Sequence, residues 1–360
     1  MVKAEAHAYE KLGKDLKIGK IPGLVVLYGS EEFLVHFYAN AIINKYISEP
    51  CKDLDLVTLT KDNVTLDAII DNLETISLMS ERKVVFIPDF IDSKGKGPKA
   101  LDGSAADKFA EYVKTIPQGS LLLVTISKQE DERGEAGLKK LKLFKAMASA
   151  GAEYEFGPLN QGQLRGFIEK RLRASGKKYR SAVPEFIARE SGYGSKAIDY
   201  GLYTLNNDLQ KLLAFCLTSD EIRVEDAREV LTYNPENDVF AMLDAIGRNR
   251  KDEAFRLLHN ILENGGSEFQ LLALITKQLE LMLMAREMRE DGMNLTSIQK
   301  ALKKSERAHE YRVKKALDLG NRFTVSDMRR MLSSSYDVEV NIKTGLMPSE
   351  IAMEFFVAGI

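Results

Sequence analysis

Residues 25–37 read VVLYGSEEFLVHF: an apolar run, a glycine turn, then the first turns of a helix. That succession opens nucleotide-binding α/β domains, in which a helix N-terminus collects a phosphate. A phosphate loop of the form GxxxxGK[ST] needs glycines so that backbone N–H groups can approach the phosphates, and a lysine to neutralise them. The eight positions here are Gly29, Ser30, Glu31, Glu32, Phe33, Leu34, Val35 and His36, so the second glycine, the lysine and the hydroxyl are all missing. Glu31 and Glu32 complement the helix dipole themselves and would repel a triphosphate. The expectation is a degenerate loop that keeps its framework and takes no cofactor.

Outward from this stretch, short β-rich runs alternate with helical segments. The expected strands are LVVLY (24–28), LDLVTL (54–59), KVVFI (83–87), SLLLVTI (120–126) and AEYEF (152–156), with helices over 31–47, 65–75, 104–115 and 137–149. Strands this apolar are buried on both faces, which predicts a parallel sheet covered by helices, an α/β domain. The segment DSKGKGPKALDGS (92–104) has no periodicity and reads as an exposed loop. Gly157 and Pro158 end the last strand, and no further strand is expected.

The remainder reads as all-α. Segments between 159 and 232 fit a small bundle in which Ile198, Leu202, Leu205, Leu209 and Leu212 form one apolar stripe. NPEND (234–238) breaks the pattern, with Asn237 or Asp238 able to cap the next helix. Gly265, Gly266 and Gly292 sit like C-terminal caps of later helices. The expected domains are therefore 1–157, 158–233 and 234–360.

A chain of 360 residues, 44% hydrophobic and 29% charged, has the balance of a folded protein with two or three cores. Its net charge of −2 argues against a general electrostatic grip on nucleic acid. No apolar run approaches the roughly 18 residues that span a bilayer, and the first twenty residues carry charges where a signal peptide needs an apolar segment, so a cytoplasmic protein without a membrane partner is expected. Cys51 and Cys216 lie far apart and suggest neither a disulfide nor a zinc site. His7, His36, His259 and His309 are scattered without ligand spacing, so no metal is expected.

Catalytic templates find no match. GYGS (192–195) is not a nucleophile elbow and reads as a turn with Ser195 as a cap. Asp89 in KVVFIPDF is a poor Mg²⁺ carboxylate and reads as a solvated residue at a strand end. Basic residues cluster in LRGFIEKRLRASGKKYR: Arg165, Lys170, Arg171, Arg173, Lys177, Lys178 and Arg180. They could meet a phosphate backbone or simply form a solvated helix face.

In ETISLMSERKVVFI, Leu78 and Met79 sit in a short polar connection between a helix and a strand. Loops usually avoid large apolar pairs. Either both side chains tuck under the loop into the core, or they protrude as a plug for a partner's pocket, a task that suits the flexible thioether of methionine.

Taken together, VLYGSEEFLV, SLMSERKVVFI, LNNDLQKLLAF, NDVFAMLDAIGRNRKDEAFRLLHNIL and VNIKTG, in this order, resemble the delta-subunit family of the bacterial clamp loader, part of the DNA polymerase III holoenzyme. The resemblance implies a RecA-like (AAA+) parallel-sheet domain, a small helical lid and a C-terminal helical collar. The collar would join the loader ATPase subunits and the delta-prime subunit. It implies a subunit of a DNA-directed DNA polymerase with no catalytic activity of its own, which binds and opens the sliding clamp for loading onto primed DNA.

The family's clamp-binding motif, Ser-Leu-Phe, falls on Ser77, Leu78 and Met79, with Ile76 as a flank. This sequence departs from the pattern in having Met for Phe, and in Glu280, where the family often has arginine. No Ser-Arg-Cys finger occurs. Within the basic cluster, Arg165, Lys170, Arg171 and Arg173 are the DNA-contact candidates. The rival readings are an active nucleoside triphosphatase with an unorthodox loop and a nucleic-acid adaptor.

Overall fold

Five strands pair in parallel in the order β2-β3-β4-β1-β5: β1 Leu24–Tyr28, β2 Leu56–Thr58, β3 Lys83–Ile87, β4 Ser120–Thr125 and β5 Ala152–Glu155. The computed structural model describes residues 7–129, 134–194, 200–264, 267–305 and 310–359, which fall into two compact units, Met1–Pro158 and Leu159–Ile360. Every residue of β1 and β4 is buried, as helices on both faces of a parallel sheet require. In register, Val26 lies between Val124 of β4 and Glu153 of β5. Leu24, Val26, Tyr28, Val85, Leu122, Val124, Phe109 and Met147 belong to one core on one side of the sheet.

Four of the five strands lie within a residue of the expected limits; β2 departs. Residues 52–55 form a single helical turn, so the expected strand at 54–59 shortens to Leu56–Thr58. The helix expected over 137–149 is two helices, Gly134–Leu138 and Lys142–Ala150, separated at Lys139–Leu141. An unanticipated helix, Ala8–Lys17, buries Tyr9 and Leu12. His7 caps it: its Nδ1 accepts from the Tyr9 amide at 3.2 Å, which leaves Nε2 to donate to the Gly157 carbonyl at 3.0 Å.

Among the described residues, the regular structure of the second unit is helical apart from two-residue strands β6 Lys178–Tyr179 and β7 Glu221–Ile222, which pair in parallel. They correct the expectation of no strand beyond residue 157; two residues are too few for any alternation to be read. The helix carrying the apolar stripe begins at Leu202, with Gly201 at its N-cap, and buries Leu202, Leu205, Leu209 and Leu212. Ile198 and Ser195 lie outside the described residues, as do Gly265, Gly266 and His309.

After NPEND the cap is Asn234 rather than Asn237 or Asp238. Its side chain accepts from the Glu236 amide at 3.1 Å, and Pro235 takes the first helical position, where its missing N–H costs nothing. Asn237 and Asp238 are thereby inside helix Pro235–Gly247. The core there includes Leu243, Leu258, Ile275, Leu279, Met282 and Met353, gathered from helices Pro235–Gly247, Lys251–Glu263, Glu268–Glu290 and Ser349–Gly359. Gly292, at φ +83°, follows helix Glu268–Glu290 in the C-terminal position expected of it.

Candidate functional site

At the carboxyl end of β1 the chain turns through Gly29 with φ +129°. The turn is sealed by β5: the Phe156 amide donates to the Tyr28 carbonyl at 2.7 Å, and the Glu31 amide donates to the Phe156 carbonyl at 2.9 Å. A Cβ on Gly29 would lie 2.4 Å from the Phe156 oxygen, so the neighbouring backbone by itself requires glycine here. An N–H that a phosphate loop would present to its ligand is thus bonded within the protein. Glu31 occupies the N-cap of helix Glu32–Tyr46 and Glu32 its first turn, where both complement the dipole.

Beside this turn a cleft of about 470 Å³ opens between Glu32, His36, Asp89, Ser127 and Lys128. Asp89 is exposed, as expected of it, at φ +48°; it accepts from the Ser127 hydroxyl at 2.6 Å, and its amide donates to Thr125 Oγ1 at 3.2 Å.

On the connection between helix Leu66–Glu74 and β3, Ile76, Leu78 and Met79 are 82%, 71% and 71% exposed. Of the two sequence readings, the side chains protrude. The backbone beneath them is pinned. Asp55, wholly buried at the end of the 52–55 turn, accepts from the Leu78 amide through Oδ1 at 2.8 Å and from the Met79 amide through Oδ2 at 3.0 Å.

Ser77 closes the loop, donating to the Ser80 carbonyl at 2.9 Å and accepting from the Ser80 amide at 3.1 Å. Burial would raise the Asp55 carboxyl, but the amides of Leu78 and Met79, with Ser80 and Ser77 close by, more than reverse this and hold it at about 2. The base of the loop is tied further: Lys83 Nζ donates to the Leu54 carbonyl at 3.1 Å, and Arg82 donates to the Ile21 carbonyl at 2.9 Å while lying over the Tyr46 ring. Asp55 went unread in the sequence because it fell inside an expected strand. Its one signal there was an acid within an otherwise apolar run.

The basic residues divide by role. On helix Gln161–Ala174, Arg165 and Arg173 both pair with Glu169, at 2.9 and 3.3 Å, and Arg171 lies over the Phe167 ring. Lys170 and Arg173 are exposed. Lys177 turns inward: its ammonium donates to the carbonyls of Cys216, Leu217 and Ser219 at 2.7, 3.1 and 2.8 Å, closing the C-terminal end of helix Leu202–Phe215. Arg180 pairs with Glu221 at 3.5 Å. His259 is paired with Glu354 at 2.9 Å, with Glu350 nearby. Cys51 and Cys216 are buried free thiols. Among the described residues no helix is long and apolar enough to cross a membrane.

A five-stranded parallel sheet whose first strand-to-helix turn is closed by its own backbone, followed by a largely helical second unit, defines an α/β protein with an all-α extension. Residues 26–150 match the family model described as DNA polymerase III, delta subunit, and residues 236–360 that described as DNA polymerase III delta subunit, C-terminal domain. The chain belongs to the DNA polymerase III delta-subunit family.

It is 23% identical over 347 residues to DNA polymerase III subunit delta of Bacillus subtilis, covering 96% of this chain and 94% of the relative. The solved structure of the Bacillus subtilis DNA clamp loader delta protein, YqeN, superposes over 98% of both chains with a TM-score of 0.64 at 20% identity, a likeness of fold.

Proposed function

We propose that the chain is the clamp-binding subunit of a DNA polymerase III clamp loader, that it favours the opened clamp, and that it hydrolyses no ATP itself. The observation that carries the reading is the apolar pair Leu78 and Met79, exposed to solvent on a backbone that is fixed from below. Each side chain leaves about seven-tenths of its surface to be covered. Full burial of a leucine or methionine is worth about 1.5–3 kcal/mol, so the pair supplies about 2–4 kcal/mol, roughly 30- to 1000-fold in affinity. Ile76 flanks the pair, and Ser77 shapes its turn. Opening follows only if the pair fits the opened ring better than the closed one, since a ligand shifts an equilibrium by its differential affinity alone.

In this reading the sealed Gly29 turn leaves ATP chemistry to neighbouring ATPase subunits. Residues 234–360 form the collar that joins them and the delta-prime subunit, and 158–233 form the lid. Lys170 and Arg173 are the members of the basic helix best placed to meet primed DNA within the complex, while Arg165 and Arg171 support them.

Calorimetry with the sliding clamp tests the proposal. Leu78→Ala with Met79→Ala is expected to weaken binding by the factor above while the circular dichroism spectrum is unchanged, and unchanged affinity removes the plug. ATP turnover by the isolated chain above a mock preparation would favour the triphosphatase reading instead.

A further inference from the structure

The tip has two faces with different chemistry. Outward, Leu78 and Met79 carry exposed apolar side chains; inward, the amides of the same two residues are each taken by one oxygen of a single buried carboxylate. Asp55 is 23 residues upstream of Leu78, on a separate element, the 52–55 turn that leads into β2. One side chain therefore fastens the tip to the edge strand of the sheet. It does so without drawing either apolar side chain toward the core.

A connection of polar residues between a helix and a strand would ordinarily sample many backbone states, and a partner that seats it would have to order it on docking. A carboxylate is suited to removing that cost. It presents two acceptors in a plane, so adjacent amides are fixed relative to each other as well as to the sheet, and charge-assisted hydrogen bonds of this kind are about twice as strong as neutral ones. Ser77 and Ser80, bonded across the loop, close the remaining freedom.

We propose that Asp55 is the positioning residue of the docking tip: its carboxylate presets the backbone of Leu78 and Met79, so that affinity for the sliding clamp depends on Asp55 through those two side chains. The inference rests on the clamp-binding reading above and names a residue outside the tip on which that binding depends.

The test is a double-mutant cycle on the full chain. Asp55→Asn keeps the side chain's size but replaces one acceptor with an NH₂ group facing an amide. Binding to the sliding clamp, read by calorimetry, is expected to fall roughly 10- to 100-fold, the effect of a lost hydrogen bond to a charged group. In the Leu78→Ala, Met79→Ala background the same change is expected to have no further effect on binding, which a general loss of stability would not reproduce. Hydrogen exchange at the amides of Leu78 and Met79 should quicken while exchange in β1 and β4 holds.

If the apolar pair matters for clamp binding and Asp55→Asn leaves affinity unchanged despite faster exchange at the tip, the positioning role is overturned and the clamp reading stands. If removing the apolar pair leaves affinity unchanged, the clamp reading itself has failed, and this inference with it. Should Asp55→Asn quicken exchange throughout the sheet, Asp55→Ser, which keeps one uncharged acceptor, serves in the same cycle with the same two outcomes deciding.

Discussion

Replacing Gly29 by alanine separates a turn shaped for its own backbone from one shaped for a phosphate. The added Cβ would lie 2.4 Å from the Phe156 oxygen and 2.7 Å from both its carbonyl carbon and its nitrogen. All three are backbone atoms of the segment that ends β5, so no side chain can swing aside. Two costs combine. An L-residue held at the φ of +129° seen here is strained by about 1–3 kcal/mol. Relieving the overlap means moving Phe156, which weakens the hydrogen bonds it makes with Tyr28 at 2.7 Å and Glu31 at 2.9 Å, at about 1 kcal/mol each. The expected loss is about 3–5 kcal/mol.

Gly103→Ala is the control, because Gly103 has φ +60° with nothing within 4 Å of the added atom, so only backbone strain of about 1–3 kcal/mol applies, the same strain term as at Gly29 without the overlap. Hydrogen exchange of β1 and β5 amides across a urea series reads the stability of the first unit alone, which matters in a chain with two units. A Gly29→Ala loss no larger than that of Gly103→Ala would refute the reasoning, since Phe156 would then be free to yield.

Three further outcomes follow from charged side chains that bond distant parts of the chain. Asp55 has a folded-state pKa of about 2 against an ordinary 3.8, so the stability it gives the tip is full above about pH 4 and is lost as pH falls toward 2; the difference is worth about 2 kcal/mol, and exchange at the Leu78 and Met79 amides should show the loss in that window. Lys177→Met should cost the second unit about 2 kcal/mol in urea unfolding, because the carbonyls of Cys216, Leu217 and Ser219 lose their shared charged donor. Asp208, wholly buried, accepts from the Tyr200 hydroxyl at 2.8 Å and from the Thr232 amide and hydroxyl at 2.9 and 3.0 Å; Asp208→Ala should cost about 3–5 kcal/mol in the same assay, with Thr232→Val costing less because only the hydroxyl bond is lost.

What could be read in the sequence follows from how locally each feature is specified. β1, β3 and β4 declare themselves because a strand buried on both faces must be apolar at nearly every position, and that needs no partner to recognise. The degenerate turn was legible for the same reason: a phosphate loop is a contiguous motif, and its missing lysine is visible without a structure. Leu78 and Met79 stood out as an apolar pair in a polar connection, yet whether they pointed in or out depended on what lay beneath them.

That support comes from Asp55, and the pairing of residue 55 with residues 78 and 79 exists only once β2 and β3 lie side by side. Lys177 is the converse case. In sequence it joined a basic run, and only the placement of helix Leu202–Phe215 turns its ammonium into a cap for three carbonyls. Both are charged groups that act on backbone atoms far along the chain, and hydrophobic periodicity carries no trace of such contacts. The tip illustrates the division of labour: its apolar chemistry is written in four adjacent letters, 76–79, while the rigidity that makes this chemistry usable to a partner is supplied by one carboxylate from another element.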